Sequence, residues 1–137
     1  MSRTTKVADV TVALDHWIGG ERVGSASTFD HVSAVDGRVI ARIARGGPGA
    51  ADAAVAAARA AFPEWAAKPP AERAALLHRV ADLVEQRLEQ LAIVETMDNG
   101  ALLRSHLCSV MPRVAHNFRF FADYRSRRRS PQDGRWC

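Results

Sequence analysis

One stretch of the chain constrains its fold more than any other. Leu76, Leu77, Val80, Leu83, Val84, Leu88 and Leu91 recur at the spacing of an α-helix, with charged residues on the opposite face. A helix of this kind has to bury its stripe against a second element. Pro69-Pro70-Ala71-Glu72 opens it, because proline suits the first helical turn. The spacing predicts helix onward, with a kink, through Glu95 to Gly100, a favourable C-terminal stop. Ala50 to Phe62 is almost all alanine and reads as an earlier helix, with Asp52 in its first turn and Pro63 ending it. Pro112 starts a last helix carrying Val114, Phe118, Phe121 and Ala122.

Residues 11–43 have a different pattern. Val10, Val12 and Leu14 alternate with polar or small residues, as in a half-buried strand. Gly19-Gly20 and Asp36-Gly37 are hairpin-type turns between short apolar runs. Two or three short antiparallel strands are expected here, ahead of the helices. Gly46-Gly47-Pro48-Gly49 fits neither G-x-G-x-x-G nor the Walker pattern, so it is read as a strand-to-helix connection.

The net charge of +4 points at first to nucleic acid. Its distribution argues against that. Residues 1–124 hold 14 Lys and Arg against 14 Asp and Glu, whereas residues 125–137 hold five Arg against Asp133 alone. A neutral body with a basic tail is not a basic binding domain, so no nucleic-acid partner is expected. With 47% hydrophobic and 25% charged residues the composition is that of a globular protein. No apolar run is long enough to cross a membrane and no apolar signal segment follows Met1, so a cytoplasmic location is expected.

Side chains able to do chemistry are sparse. His16, His31, His78, His106 and His116 lack metal-ligand spacing and read as surface or edge residues. Cys108 lies two residues from His106, a spacing that does not face the two groups together on a helix. Cys137 and Cys108 form no C-x-x-C pair. Asp82, Glu85 and Glu89 read as a solvated helix face.

Taken together, the segments resemble the aldehyde dehydrogenase superfamily. Trp17-Ile-Gly-Gly-Glu-Arg-Val23 is similar to its N-terminal hairpin, and His31 to Ile43 to the strands that follow. Ala61-Phe-Pro-Glu-Trp65, Pro70 to Leu77, Leu91 to Gly100 and Asn117-Phe-Arg-Phe-Phe-Ala122 continue the match in order, over residues 15–124. Within the family the look is that of hydroxymuconic semialdehyde dehydrogenases. Ala101 departs from the pattern, which has lysine after Asp-Asn-Gly.

The resemblance implies an α/β fold: N-terminal strands plus helices of a Rossmann-type dehydrogenase domain, truncated. Residues 1–124 form the family part and residues 125–137 an aberrant basic tail without regular structure. The implied reaction is oxidation of an aldehyde, including carboxylated semialdehydes, to an acid with NAD or NADP. A cysteine thiolate attacks the aldehyde, a hydride leaves to the nicotinamide, and a glutamate-activated water releases the acid. The motifs for the nucleophile, the general base and the cofactor glycines lie downstream of this stretch in the family. No catalytic residue and no bound cofactor are therefore expected in these 137 residues, nor any activity of the chain alone. The full-length family is oligomeric, and a non-catalytic helical module associating with a full-length homologue is the alternative. By resemblance Arg113 and Asn117 border the substrate tunnel, where Arg113 either meets a substrate carboxylate or faces solvent. By resemblance too, the Val32 carbonyl and Asp98 match a monovalent-cation site, Asp98 being otherwise a helix-end residue.

Overall fold

The computed structural model describes residues 3–127. The chain runs β1 (Thr4–Val7), β2 (Val10–Ala13), β3 (His16–Ile18), β4 (Glu21–Val23), β5 (Thr28–Val32) and β6 (Val39–Ala44) into α1 (Pro48–Ala67), α2 (Pro70–Gln86) and α3 (Leu88–Asn99). A three-residue turn, α4 (Leu103–Ser105), leads through a π-helical turn at His106–Val110 into α5 (Met111–Arg127). The mixed strand-and-helix class is as expected from the sequence.

The strands form three separate antiparallel hairpins, β1–β2, β3–β4 and β5–β6, rather than one sheet. Five of these strands, β2 to β6, fall in the stretch where two or three were expected, and β1 lies ahead of it. β1 has little local signal: Thr4, Thr5 and Lys6 are polar, only Val7 is buried, and the turn Ala8-Asp9 contains no glycine. Both turn residues nonetheless have positive φ, +44° and +68°. At Gly19-Gly20 (φ +62° and +85°) the glycines supply the conformation that a two-residue hairpin turn requires. The Asp36-Gly37 turn is longer. Ser33 N–H donates to the Arg38 carbonyl, and the β5–β6 register slips between His31 and Val32. Asp15 ties the first hairpin together, accepting from the Arg3 backbone N–H and guanidinium, both at 2.8 Å.

The Gly46–Gly49 stretch is a strand-to-helix connection, with the Gly47 carbonyl receiving the first two N–H groups of α1 that follow Gly49. Helix α1 differs from expectation at both ends. It starts at Pro48, which leaves Asp52 beyond the first turn, and it passes through Pro63 to Ala67. Proline inside a helix forfeits one hydrogen bond, here to the carbonyl of exposed Arg59, which water can satisfy. Alanines and the Glu64–Lys68 pair on the last turn carry the helix past it.

Among the described residues, seven of the nine buried apolar ones are alanine: Ala41, Ala44, Ala74, Ala81, Ala92, Ala115 and Ala122, beside Val7 and Met111. The reason lies in α2 and α5. On α2, Ala74, Leu77, Ala81, Val84 and, just past a kink at Arg87, Leu88 follow a three-four spacing on the inner side. On α5, Met111, Ala115, Phe118 and Ala122 do the same. His78 pairs with Asp123, and Asp82 with Arg119, so the two helices run antiparallel. Small residues along both seams let the backbones approach closely.

The apolar stripe of α2 therefore divides. Leu77, Val84 and Leu88 turn inward, whereas Leu76, Val80, Leu83 and Leu91 are each about 40% exposed. Asp82 and Glu85, expected on a solvated face, clamp Arg119 across the helix pair. All three carboxylates, Asp82, Glu85 and Glu89, are exposed as the solvated reading has them, and the clamp is an addition to it. Helix α5 runs on to Arg127, three residues into the expected tail; residues 128–137 of that tail, Cys137 among them, lie outside the described residues.

Two outcomes are expected in urea unfolding of the chain. Ala81→Leu, which forces the helices apart, should cost about 1–3 kcal/mol; Leu83→Ala, on the outer face, should stay within about 0.5 kcal/mol. The Arg119 guanidinium holds the Glu85 carboxyl below its ordinary 4.5. The stabilisation from this pair is thus complete above pH 4.5 and lost as pH falls through the lower folded value. Arg119→Met should flatten the acid limb of the stability profile and leave its neutral limb parallel to that of the parent.

Candidate functional site

The residues singled out by sequence gather at two places, the end of α3 and the first turns of α5. Gly100 closes α3 in the left-handed conformation, φ +76°, and a Cβ there would lie 3.1 Å from the Cβ of Ala34. Ala34 N–H donates to the Met97 carbonyl at 3.0 Å. These contacts fasten the end of α3 to the chain just after β5. Asp98 comes with it, and its Oδ1 lies 2.6 Å from Nε2 of His31. The structure thus brings Asp98 beside the strand end that carries Val32. Among the described residues no group of three or more His, Cys, Asp and Glu is arranged to hold a metal ion.

The π-helical turn accounts for His106. Read as a surface or edge residue, His106 is 3% exposed and belongs to the core. In an α-helix residues five apart point to different faces, whereas a π-turn brings them nearly into line. His106 and Met111 are five apart and both buried. Asn99 Nδ2 donates to Glu95, and Asn99 Oδ1 accepts from Ala101 N–H at 2.8 Å. The amide orientation is thereby set, so His106 Nε2 donates to Oδ1 across 3.3 Å. Its Nδ1 is buried without a hydrogen-bond partner. Cys108, on the same turn, is exposed, and no hydrogen bond joins it to His106.

The other histidines are spread over the molecule. His78 meets Asp123 at 2.9 Å. His16 has a buried Nε2 without a partner and packs against Gly46, where a Cβ would stand 3.4 Å from the ring. His116 is exposed.

Arg113 and Asn117 lie one turn apart on α5, and both are exposed. Asn117 lines an open hollow of about 270 Å³ with Leu77, Phe118 and Phe121. Arg113 is not part of its wall, and no carboxylate pairs with its guanidinium among the described residues. Next to the hollow, Phe120 packs edge-on against Phe121 at 5.3 Å and stacks on Tyr124 at 6.4 Å. More than half of the surface of Phe120 and Phe121 is open. No helix among the described residues is long and apolar enough to cross a membrane.

Residues 22–133 match the aldehyde dehydrogenase family, and the match reaches past Tyr124. The chain is 39% identical over 110 residues to 5-carboxymethyl-2-hydroxymuconate semialdehyde dehydrogenase of Escherichia coli, covering 80% of this chain and 24% of that protein. It is 44% identical over 115 residues to 2-hydroxymuconic semialdehyde dehydrogenase of Pseudomonas sp. CF600, covering 80% of this chain and 23% of that protein. An indole-3-acetaldehyde dehydrogenase of P. syringae, solved with NAD+, superposes with a TM-score of 0.85 at 32% identity, covering 90% of this chain and 26% of the other. The chain spans about a quarter of the length of these relatives. In sequence and in fold, it belongs to the aldehyde dehydrogenase family.

Proposed function

We propose that these residues serve an NAD(P)-dependent dehydrogenase that oxidises a carboxylated semialdehyde to the acid. They contribute a substrate-side helix and a docking face rather than the reacting groups. The observation that carries this reading is Arg113. It is an exposed guanidinium without a carboxylate partner, one turn from Asn117 at the rim of an apolar hollow. Guanidinium binds carboxylate through two parallel hydrogen bonds, so such a residue selects an aldehyde that also carries a carboxylate. The two muconic-type relatives are named for substrates of that kind.

The described residues do not fit a dinucleotide. The glycine-rich connection at Gly46–Gly49 is used in starting α1, and Pro48 has no N–H to offer a phosphate. When bound, the cofactor accepts a hydride from the substrate, and in this reading it sits on polypeptide outside residues 3–127. Neither Cys108 nor Cys137 is the nucleophile; Cys108 is exposed and lacks the neighbouring base that activates a thiol. In the same reading a monovalent cation would be held by the Asp98 carboxylate and the Val32 carbonyl. Both are hard oxygen donors, and the carboxylate is half open to solvent. A second reading, a helical module docking on a full-length homologue, is favoured by the outward face of Leu76, Val80, Leu83, Phe120 and Phe121.

Two experiments test these readings. A chimera carrying residues 1–124 in place of the matching segment of the Pseudomonas relative should reduce NAD+ with a carboxylated semialdehyde. Arg113→Met in it should cut the preference over a neutral aldehyde by about tenfold or more, the worth of a charged hydrogen bond; an unchanged preference refutes the assignment. The 137-residue chain alone should show no NAD+ reduction with either aldehyde, and turnover abolished by Cys108→Ala would overturn that. Co-elution of the chain with a full-length homologue would favour the second reading.

A further inference from the structure

His106 stands where the end of α3 meets the start of α5. Its imidazole is buried, and it makes one hydrogen bond, from Nε2 to Asn99 Oδ1 at 3.3 Å. Asn99 is itself fixed by Glu95 and by the Ala101 N–H. The His106 carbonyl receives the N–H of Met111, five residues on, and this bond closes the π-helical turn. Among the described residues, the contact with Asn99 is the only side-chain hydrogen bond made by residues 102–117.

The turn bears on how α5 is rotated. Each residue advances about 100° around an α-helix, so residues five apart diverge unless a π-turn takes up the extra one. His106 and Met111 are both buried because it does. Met111 opens the seam against α2, and Arg113 follows two residues later, ahead of Ala115. The direction of Arg113 is therefore set by the seam at Met111 and Ala115 and by the turn that delivers Met111 to that seam.

We propose that His106 is a positioning residue for the Arg113 guanidinium: held through Asn99, it fixes the rotation at which α5 leaves the π-helical turn. This rests on the Arg113 reading given above and adds what aims that side chain. The imidazole touches no substrate and transfers no proton. Its Nδ1 is buried without a partner, so the ring depends on the Asn99 contact for its orientation. Removing that acceptor leaves a buried Nε2–H unpaired, which favours release of the ring. A released His106 no longer requires the π-turn, and the first turn of α5 is then free to shift toward α-helical geometry.

Asn99 is exposed, so its side chain can be changed without altering the buried seam. Amide hydrogen exchange in the 137-residue chain and turnover in the chimera described above test the proposal. In Asn99→Ala the Met111 amide should exchange about fivefold faster or more, the worth of a buried group left unpaired. The Ala122 amide, well inside α5, should keep its rate. Asn99→Asp, which retains the acceptor oxygen, should stay close to the parent. A Met111 amide unchanged in the Asn99→Ala chain would overturn the proposal. So would Met111 and Ala122 amides that speed up together, because that is global loosening. In the chimera, Asn99→Ala should lower the preference for a carboxylated over a neutral aldehyde roughly two- to tenfold, the span of one neutral hydrogen bond. It should leave kcat/KM for the neutral aldehyde as it was; an equal loss on both aldehydes refutes the positioning role. In an Arg113→Met background the same change should have no further effect on the preference. If Arg113→Met alone lowers the preference and Asn99→Ala does not, the Arg113 reading stands and the positioning role falls. If Arg113→Met alone has no effect, both fall.

Discussion

Close antiparallel packing of α2 on α5 is the contact on which the rest of the molecule depends. It is made by alanines where larger residues were available. Ala74 and Ala81 on one helix and Ala115 and Ala122 on the other are buried, while leucines and phenylalanines on the flanks stay half open. Alanine loses no side-chain entropy on burial and lets backbones come near each other. It also buries little apolar area, so the seam stabilises less than a leucine seam would. Arg119, held by Asp82 and Glu85, and the His78–Asp123 pair align the two helices. Exposed pairs of this kind contribute little energy each; here they favour one register and one direction.

Once that pair is in place, the other elements follow. The π-helical turn ahead of α5 brings His106 and Met111 inward together and lets α5 begin in register with α2. His106 then reaches Asn99, which Glu95 and Ala101 have already oriented, and so links the start of α5 to the end of α3. Through Met97 and Gly100 the end of α3 holds the loop after β5. A two-stranded hairpin is marginal alone, and β5–β6 gains its support from this chain of contacts. One line of packing thus leads from the helix pair to the Asp98 corner.

The candidate residues of this chain lie on its surface. Family membership came from the order of many weakly specific segments and from superposition with a dehydrogenase of which this chain covers 26%. The outward seam of α2 and the aromatic ladder of Phe120, Phe121 and Tyr124 make an apolar face. Arg113 and Asn117 are exposed on α5, and Asp98 lies at the end of α3.

Local order alone determined the presence of the long helices, the Gly19-Gly20 turn, the stop at Gly100 and the resemblance to the family. Helical period, turn residues and motif order are properties of neighbours in sequence, and they survive without knowledge of the partner. Tertiary structure decided which half of the leucine stripe is covered. Alanine is neutral in a periodicity count, and yet Ala74 and Ala81 mark the contact. It decided that Asp82 and Glu85 bind Arg119, since residues more than thirty apart leave no local trace of their pairing. It decided that Pro63 is tolerated, because α1 is open to water at the carbonyl that proline leaves unpaired. The burial of His106 had one local signal, its spacing of five from Met111, but a five-residue period means something only where a π-turn exists. His31 meets Asp98 for a similar reason: sixty-seven residues separate them, and only the docking of the end of α3 onto β5 brings the imidazole to the carboxylate.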